Sequence, residues 1–223
     1  DIRIIRDFIR EKHGNHFYLF NVHEQNYDTK IFDDKVIFMP FPDHCSPRIS
    51  YFEESSKRIS KVFEDDPKCT IFLHCKAGRG RSGTVICAYQ MYSKNVSHVD
   101  EAIFAVNEKR SPEHMSITIP SQLRFLHYFE RKCLKGEPKV QSISIEKVEF
   151  NPQFNREMIF SFNNGIPYED KEEFRKKFDG KSITFTDLHA SNEFVIFIYD
   201  INSSKDCVRI QLHSNYLTSG NEN

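Results

Sequence analysis

Apolar positions along the first 135 residues follow two spacings, one typical of helices and one typical of strands. Five segments carry apolar residues three or four positions apart, as on the buried face of a helix: residues 2–13, 52–63, 81–92, 99–106 and 120–135. Three interspersed runs are rich in β-branched and aromatic residues and predict strands: residues 16–22, 36–41 and 69–73. This alternation predicts an α/β domain with a central, mostly parallel sheet flanked by helices.

The pattern changes after Gly136-Glu137-Pro138. Beyond this segment, short apolar runs predict strands at residues 140–150, 158–163, 181–185, 193–200 and 207–214. Only residues 170–178 show a helical spacing. We therefore expect two domains, an α/β domain over residues 1–137 and an antiparallel, all-β domain over residues 138–223.

Charge and composition exclude several classes of function. The 31 Lys and Arg residues are balanced by 32 Asp and Glu residues, so no overall field attracts nucleic acid. The longest apolar run, residues 194–199, is far too short to span a bilayer. The six cysteines have no regular spacing, which argues against a disulfide framework and suits a reducing compartment. We expect a cytoplasmic protein with no transmembrane segment and no nucleic-acid partner.

A strand, a cysteine and a glycine-rich turn meet in residues 71–84. Cys75 follows the predicted strand, and a helix begins six residues later at Arg81. Gly78 and Gly80 let the intervening backbone turn its N–H groups inward, which forms a cradle for an anion. The helix N-terminus adds its unpaired donors and its dipole at the same point. The segment therefore predicts a phosphate-binding loop beside a thiol.

Four side chains in and beside this loop suit the cleavage of a phosphate ester. A thiolate at Cys75 is stabilised by the inward donors and is the candidate nucleophile. Arg81 can bind two phosphoryl oxygens and tighten as charge develops. Ser82 can donate to the sulfur, and His74 can hydrogen-bond the loop backbone. The alternative, a buried structural thiol, is disfavoured by the strand end, the two glycines and the helix start.

Asp43 is the candidate acid that protonates the leaving alkoxide. It lies in a proline-rich loop after a predicted strand, where loop residues can hang over an active site. Taken alone it would be a solvated carboxylate, but a cysteine phosphatase requires an acid. The pairs His44-Cys45 and His74-Cys75 lack the spaced partners that zinc requires, so we expect no metal and no cofactor.

Three cations surround the predicted cradle: Lys76, Arg79 and Arg81. One cation satisfies a phosphate monoester, whereas three suit a polyanionic substrate. The alternative is that Lys76 and Arg79 are ordinary loop charges that point to solvent.

Residues 74–83 resemble the signature loop of the phosphatase and tensin homologue family, which includes lipid phosphatases. The resemblance continues in order through the first domain, in Lys12-His13, Asn15-His16, Tyr27-Asp28-Thr29, Phe41-Pro42-Asp43-His44, Ile86-Cys87-Ala88-Tyr89 and Ile117-Thr118-Ile119-Pro120-Ser121-Gln122. It is weaker in the second domain, where Asn151-Pro152-Gln153-Phe154 is its best match and where the chain resembles part of the family's C2 domain.

This resemblance implies removal of the 3-phosphate from phosphatidylinositol 3,4,5-trisphosphate in a deep basic pocket, through a cysteinyl-phosphate intermediate. Cys75 would be the nucleophile, Arg81 the transition-state clamp and Asp43 the acid. The positions that bind substrate in the family correspond to His44, Lys76, Ala77, Gly78, Arg79, Gly80, Ser82, Thr118, Ile119 and Gln122, with His74 as loop support.

The sequence also departs from the family pattern. Arg79 replaces the usual Lys, and Ser82 replaces Thr. The stretch 21–27 is one residue short and lacks the family's resolving cysteine, which argues against redox locking of Cys75. The family's N-terminal strand is expected to lie before Asp1 or to be absent. The C2-like region is expected to be incomplete, and it lacks the acidic cluster of a calcium site.

Three functions remain open from the sequence. The first is a phosphoinositide 3-phosphatase recruited peripherally to its lipid at the inner surface of the plasma membrane. The second is a protein-tyrosine or dual-specificity phosphatase that acts on a phosphoprotein. The third is a catalytically weak scaffold, as in tensin and auxilin, against which the intact Cys75, Arg81 and Asp43 argue. Ala77 with Gly80 resembles 3-specific loops, whereas the voltage-sensing phosphatases carry Gly at the first of these positions.

Overall fold

The chain divides into two units, Asp1–Leu134 and Lys135–Asn223. The computed structural model describes residues 1–110, 113, 115–151, 153–165, 174–202 and 206–217. The elements of the first unit are, in chain order, α1 (Ile2–His13), β1 (Phe17–Asn21), a 3₁₀ turn (Thr29–Phe32), β2 (Val36–Phe38), α2 (Ile49–Asp65), β3 (Thr70–His74), α3 (Gly80–Tyr92), α4 (Val99–Arg110) and α5 (Pro120–Lys135).

The strands of the first unit form a parallel sheet in the order β2-β1-β3. Phe17 pairs with Thr70 and Asn21 with His74, while Leu19 on β1 pairs with Val36 on β2. Because the strands are parallel, their carboxyl ends meet at one edge, where ligands bind in open α/β sheets. The loops that follow β1, β2 and β3 all leave from this edge. The predicted parallel sheet with helices is confirmed.

Alternation along β1 places its side chains in two hydrophobic clusters. Phe17 and Leu19 pack with Ile9 and Phe32. On the other side, Phe20 and Val22 belong to a cluster with Met39, Phe41, Ile59 and Val85, against which the partly buried Cys75 also packs. Full burial of a Phe side chain stabilises the fold by about 1.5–3 kcal/mol, so Cys75 packs against a stable part of the core.

Strand β2 is shorter than the predicted run of residues 36–41. It ends at Phe38, before Pro40 and Pro42, which have no amide hydrogen to donate to a sheet. Residues 39–41 nevertheless remain at the sheet, since Met39 and Phe41 are buried in the core. The loop that carries Asp43 is therefore anchored by apolar side chains on its approach.

The second unit is built from antiparallel strands. The described residues form β4 (Ser142–Ser144), β5 (Lys147–Glu149), β6 (Met158–Asn164), β7 (Phe174–Phe178), β8 (Ser182–Thr184), β9 (His189–Ser191), β10 (Glu193–Asp200) and β11 (Asp206–His213). A four-stranded sheet has the order β11-β10-β6-β7, and β4 pairs with β9 and β5 with β8. The inward residues of β6 and β10, including Met158, Phe160, Phe162, Ile196 and Ile198, form its core.

The helix predicted at residues 170–178 is wrong where the structure describes it. Residues Phe174–Phe178 form β7, which pairs with β6 so that Phe174 lies opposite Phe162. Residues four apart share a side of a strand as well as a face of a helix, so the two Phe residues fit both patterns. Residues 170–173 lie outside the described residues. Strand β9 was not predicted, because Ala190 is its only apolar residue.

No helix within the described part of the chain combines the length and the hydrophobicity that crossing a membrane requires.

Candidate active site

The turn between β3 and α3 carries the thiol. Cys75 directly follows His74, the last residue of β3, and α3 begins at Gly80 with Arg79 as its N-cap residue. Gly78 has a φ of 67°, in the left-handed region that glycine adopts without strain. The turn therefore brings the sulfur to the N-terminal end of α3, where the unpaired backbone donors of the helix lie.

The surroundings of Cys75 favour its thiolate. Its Sγ lies 3.6 Å from the Oγ of Ser82. Burial alone would raise the pKa of Cys75. Hydrogen bonds from the backbone and hydroxyl of Ser82, and from the backbone of Gly78 and Ala77, outweigh burial and lower this pKa below its ordinary value. A larger share of Cys75 is therefore ionised near neutral pH than in a free cysteine.

Arg81 joins the start of α3 to the loops after β1 and β2. It is 2% exposed. Its Nη1 donates to the carbonyl oxygen of Phe41 at 3.2 Å and to Oε2 of Glu24 at 3.2 Å. Its Nε lies 3.4 Å from Oδ1 of Asp43. These partners compensate a buried charge that would be costly if it were unpaired.

Asp43 lies in the loop after β2, beside Arg81. The N–H of His44 donates to Oδ1 of Asp43 at 3.1 Å, and the His44 Nδ1 lies 3.7 Å from Oδ2. Both side chains are exposed. The candidate acid and its neighbour therefore face solvent at the same edge as the thiol-bearing loop.

His74 ties the end of β3 to Tyr27. Its Nε2 lies 3.0 Å from the Tyr27 hydroxyl, and the two rings stack with centroids 5.8 Å apart. Burial lowers the pKa of His74, although a hydrogen bond with the Cys75 backbone opposes this shift. Burial also raises the pKa of Tyr27 to about 12. Burial therefore favours the neutral form of His74, which hydrogen-bonds the backbone of the adjoining Cys75.

Gln122 brings α5 against the start of α3. It is 1% exposed, and its Nε2 donates to the carbonyl oxygen of Cys45 at 3.0 Å. A Cβ atom on Gly80 would lie only 3.1 Å from the Gln122 Oε1, so the glycine permits this approach. The backbone before α5 places Thr118 exposed and Ile119 half-buried. Among the described residues, no hydrogen bond or ion pair links either of these two to the loop.

The remaining predicted loop residues face solvent. Lys76, Ala77 and Arg79 are exposed, and Nη1 of Arg79 lies 4.0 Å from Oε2 of Glu113. In the part of the chain that the structure describes, no three His, Cys, Asp or Glu side chains are grouped to hold a metal ion.

Two contacts to the loop were not predicted from the sequence. Glu24 pairs with Arg81 across 57 positions, and Arg110 donates to the carbonyl oxygen of Gly78 across 32 positions. Neither residue belongs to a local motif. The position of Glu24 after a strand was an available signal, because carboxyl ends of parallel strands meet. No comparable signal marked Arg110.

Comparisons with known proteins agree with this geometry. Residues 7–131 match the family model of the dual specificity phosphatase catalytic domain. The phosphatidylinositol 3,4,5-trisphosphate 3-phosphatase cnrN of Dictyostelium discoideum is 30% identical over 148 residues, which are 66% of this chain and 23% of that protein. Tensin-1 of Mus musculus is 34% identical over 144 residues, 64% of this chain and 8% of that protein.

A solved structure shows the same fold. The crystal structure of PTPMT1 in complex with PI(5)P matches with a TM-score of 0.50 at 22% identity, over 59% of this chain and 86% of that one. The chain spans only 23% of the Dictyostelium relative's length and 8% of that of tensin-1. The family model covers more than half of this chain, and the cysteine loop lies inside the matched residues. This chain therefore belongs to the dual specificity phosphatase catalytic-domain family, and its relatives include phosphatases of the phosphatase and tensin homologue type.

Proposed function

We propose that this chain hydrolyses the 3-phosphate of phosphatidylinositol 3,4,5-trisphosphate through a cysteinyl-phosphate intermediate. The observation that supports the reaction is the meeting of three groups at one sheet edge. Cys75 has a lowered pKa, Arg81 is buried, and Asp43 places its Oδ1 3.4 Å from the Arg81 Nε. A nucleophile, an anion-binding group and an acid are the parts that this cleavage requires.

In the first half of the reaction, the Cys75 thiolate attacks phosphorus. A P–S bond forms while the P–O bond to the inositol breaks. Arg81 exchanges its carboxylate contacts for two non-bridging phosphoryl oxygens. The carboxylic acid of Asp43 gives its proton to the leaving oxygen, so the inositol departs as an alcohol. Backbone N–H groups of the loop and the N-terminus of α3 stabilise the charge that develops.

In the second half, water attacks phosphorus and the P–S bond breaks. The Asp43 carboxylate takes the proton from this water and is ready for the next cycle. The sulfur leaves as a thiolate, and the Ser82 hydroxyl, 3.6 Å away, donates a hydrogen bond to it. Inorganic phosphate is the second product.

The choice of a phosphoinositide rests on charge and on a relative. Lys76 and Arg79 are exposed beside the cradle, and the 4.0 Å contact between Arg79 and Glu113 is weak enough for a phosphate to replace. The Dictyostelium relative is named for this activity. These observations favour a substrate with several phosphates over a monoester.

A phosphoprotein is the second candidate substrate. The matching family model is that of dual specificity phosphatases, and the chemistry at Cys75 is the same for a phosphotyrosine. Similarity to tensin-1 raises the third alternative, a scaffold without turnover. The assembled Cys75, Arg81 and Asp43 argue against that alternative.

The second unit supports recruitment to a membrane surface. Residues 138–223 serve as a partial, C2-like β domain that holds the catalytic domain, residues 1–137, at the inner surface of the plasma membrane. The antiparallel sheets support the domain type. The exposed Arg175, Lys176 and Lys177 on β7 provide positive charge for anionic lipid.

A panel of phosphate esters tests the substrate choice. Phosphate release is measured from soluble inositol phosphates that carry a 3-phosphate, from phosphotyrosyl peptides and from an aryl phosphate. The inositol polyphosphate is expected to have the highest kcat/KM, and Cys75→Ser is expected to abolish every activity. Turnover by the serine variant would contradict the covalent mechanism. A preference for the peptides would transfer the proposal to a phosphoprotein.

Removal of the two exposed loop cations should affect an inositol polyphosphate and an aryl phosphate differently. Each charge-assisted contact contributes about 1.5–3 kcal/mol, so the loss of one should lower kcat/KM for the inositol polyphosphate by about ten- to a hundredfold, and Lys76→Ala with Arg79→Ala should lower it by at least that much. The aryl phosphate should lose much less. Lys57→Ala with Lys61→Ala removes two exposed cations from α2 and serves as the charge-matched control. An unchanged ratio between the substrates would remove the case for a phosphoinositide.

A further inference from the structure

Arg110 contacts the loop from outside the catalytic groups. It is the last residue of α4, and its guanidinium donates two hydrogen bonds to one acceptor, the carbonyl oxygen of Gly78. The Nε lies 3.0 Å and the Nη2 2.8 Å from this oxygen. Both bonds have normal length, and the two donors of a planar fork meet one atom.

This contact fixes the orientation of a peptide plane. The carbonyl of Gly78 and the N–H of Arg79 belong to one planar, trans peptide, so they point in opposite directions. With its oxygen held by Arg110, this plane cannot rotate to turn the oxygen towards the anion site. The adjacent backbone groups of Ala77 and Gly78 hydrogen-bond Cys75, so rotation here would also disturb those donors.

Glycine at position 78 is needed for the arginine to reach this carbonyl. A Cβ atom on Gly78 would lie 2.4 Å from the Arg110 Nη2, far inside contact distance. The φ of 67° independently disfavours any side chain at this position. The loop conformation and the arginine contact are therefore two parts of one arrangement.

We propose that Arg110 is a positioning residue for the phosphate-binding loop. The two hydrogen bonds from its guanidinium to the Gly78 carbonyl oxygen hold the loop in the conformation in which backbone N–H groups face Cys75 and an incoming phosphate. Arg110 itself is exposed, so its role depends on the geometry of the fork rather than on a buried charge. The inference rests on the proposed function only in taking Cys75 as the nucleophile and the loop as its anion site.

The test compares Arg110→Met with Lys109→Met. Both substitutions remove one exposed cation from the last turn of α4 and keep an unbranched side chain. The first readout is the pH dependence of Cys75 alkylation by iodoacetamide, followed by mass spectrometry of the peptide that contains it. The second is inhibition by inorganic phosphate, measured with an aryl phosphate as substrate, together with KM and kcat.

Arg110→Met is expected to shift the alkylation profile to higher pH. It should also weaken phosphate inhibition by about tenfold, the scale of one lost charge-assisted contact. Lys109→Met is expected to match wild type in both readouts. Arg110→Lys should lie closer to Arg110→Met, because an ammonium has no fork. Unfolding in urea identifies any variant whose fold is damaged. If Arg110→Met is such a variant, Arg110→Lys is compared with wild type and Lys109→Met in its place.

Coincident profiles for Arg110→Met, Lys109→Met and wild type would overturn the proposal. So would a wild-type profile for Arg110→Lys, since charge alone would then suffice. Alkylation needs no turnover, so the result does not depend on the substrate. If wild-type Cys75 is alkylated with the profile of an ordinary thiol, the proposed function fails instead.

Discussion

At the scale of the residue, one carboxyl group decides how the proposed reaction handles a poor leaving group. The loop that carries Asp43 has little freedom, because Pro40 and Pro42 fix two backbone φ angles. The Asp43 Oδ1 lies 3.4 Å from the Nε of buried Arg81. A phosphate that binds Arg81 therefore brings its ester oxygen towards the same carboxyl group.

Asp43→Asn preserves the shape of this side chain and removes its proton. Turnover of an inositol phosphate, whose alcohol is a poor leaving group, should fall by about 10²–10⁴-fold. Turnover of an aryl phosphate with an acidic phenol should fall much less, since that group leaves without a proton. Asp65→Asn on α2 is a control of equal chemistry. Equal losses on both substrates would assign Asp43 a positioning role.

At the scale of the element, an ion pair joins α5 to α2. Lys132 Nζ lies 2.8 Å from Oε2 of Glu53, and their side chains are only 15% and 33% exposed. Hydrogen bonds from Lys132, which has the larger effect, and from Lys57 lower the pKa of Glu53 from 4.5 to about 2. An acid whose pKa falls on folding stabilises the fold above its unfolded pKa. This contribution is lost as pH falls from about 4.5 to about 2.

Lys132→Met keeps the apolar stem and removes the charge. It should lower the free energy of unfolding by about 1 kcal/mol at pH 7, the upper range for a pair that solvent still screens. The difference from wild type should shrink as pH falls towards 2. Urea denaturation at pH 7, 4 and 2.5 measures it. Lys57→Met, which breaks the exposed pair on α2, should cost only about 0.3–0.5 kcal/mol. A difference that is constant with pH would show that packing, not charge, is lost.

The sequence predicts elements well where one spacing fits one structure. The helical faces of α2 and α5 bury residues at three- and four-residue intervals, which a strand cannot do. The four-residue spacing of Phe174 and Phe178 fits a helix as well as a strand. Both residues pair with β6, so this segment forms a strand. The loop chemistry was visible because it is local, within residues 74–82. The contacts of Glu24 and Arg110 are long-range, and their partners meet only through the sheet and the end of α4.

At the scale of the whole molecule, the two units respond to acid through different groups. His213, at the end of β11, is buried and packs edge-on against Tyr216. Burial lowers the pKa of His213 from 6.5 to about 4, although Glu137 opposes the shift. The unfolded chain therefore binds a proton near pH 6.5 that the folded chain does not. Stability of the second unit falls as pH decreases from about 6.5 to about 4.

Hydrogen exchange of the whole chain distinguishes the units. After correction for intrinsic rates, peptides from β10 and β11 should lose protection between pH 6.5 and 4, by the equivalent of about 2–3 kcal/mol. Peptides from β1 and β3 respond through the buried His74, whose pKa is also lowered, so their change with pH should be the same in wild type and in His213→Gln. His213→Gln should remove the pH dependence in β10 and β11. If that variant retained it, another group would be responsible.

The pairing of Glu24 with Arg81 bears on how the catalytic cycle ends. Because Glu24 belongs to the same chain and its Oε2 lies 3.2 Å from the Arg81 Nη1, it would compete with phosphate for the guanidinium as a tethered anion at high effective concentration. In the proposed reaction, this carboxylate returns when phosphate departs, so Arg81, which is 2% exposed, is not left as an unpaired buried cation. Product release becomes an exchange of anions rather than the loss of one.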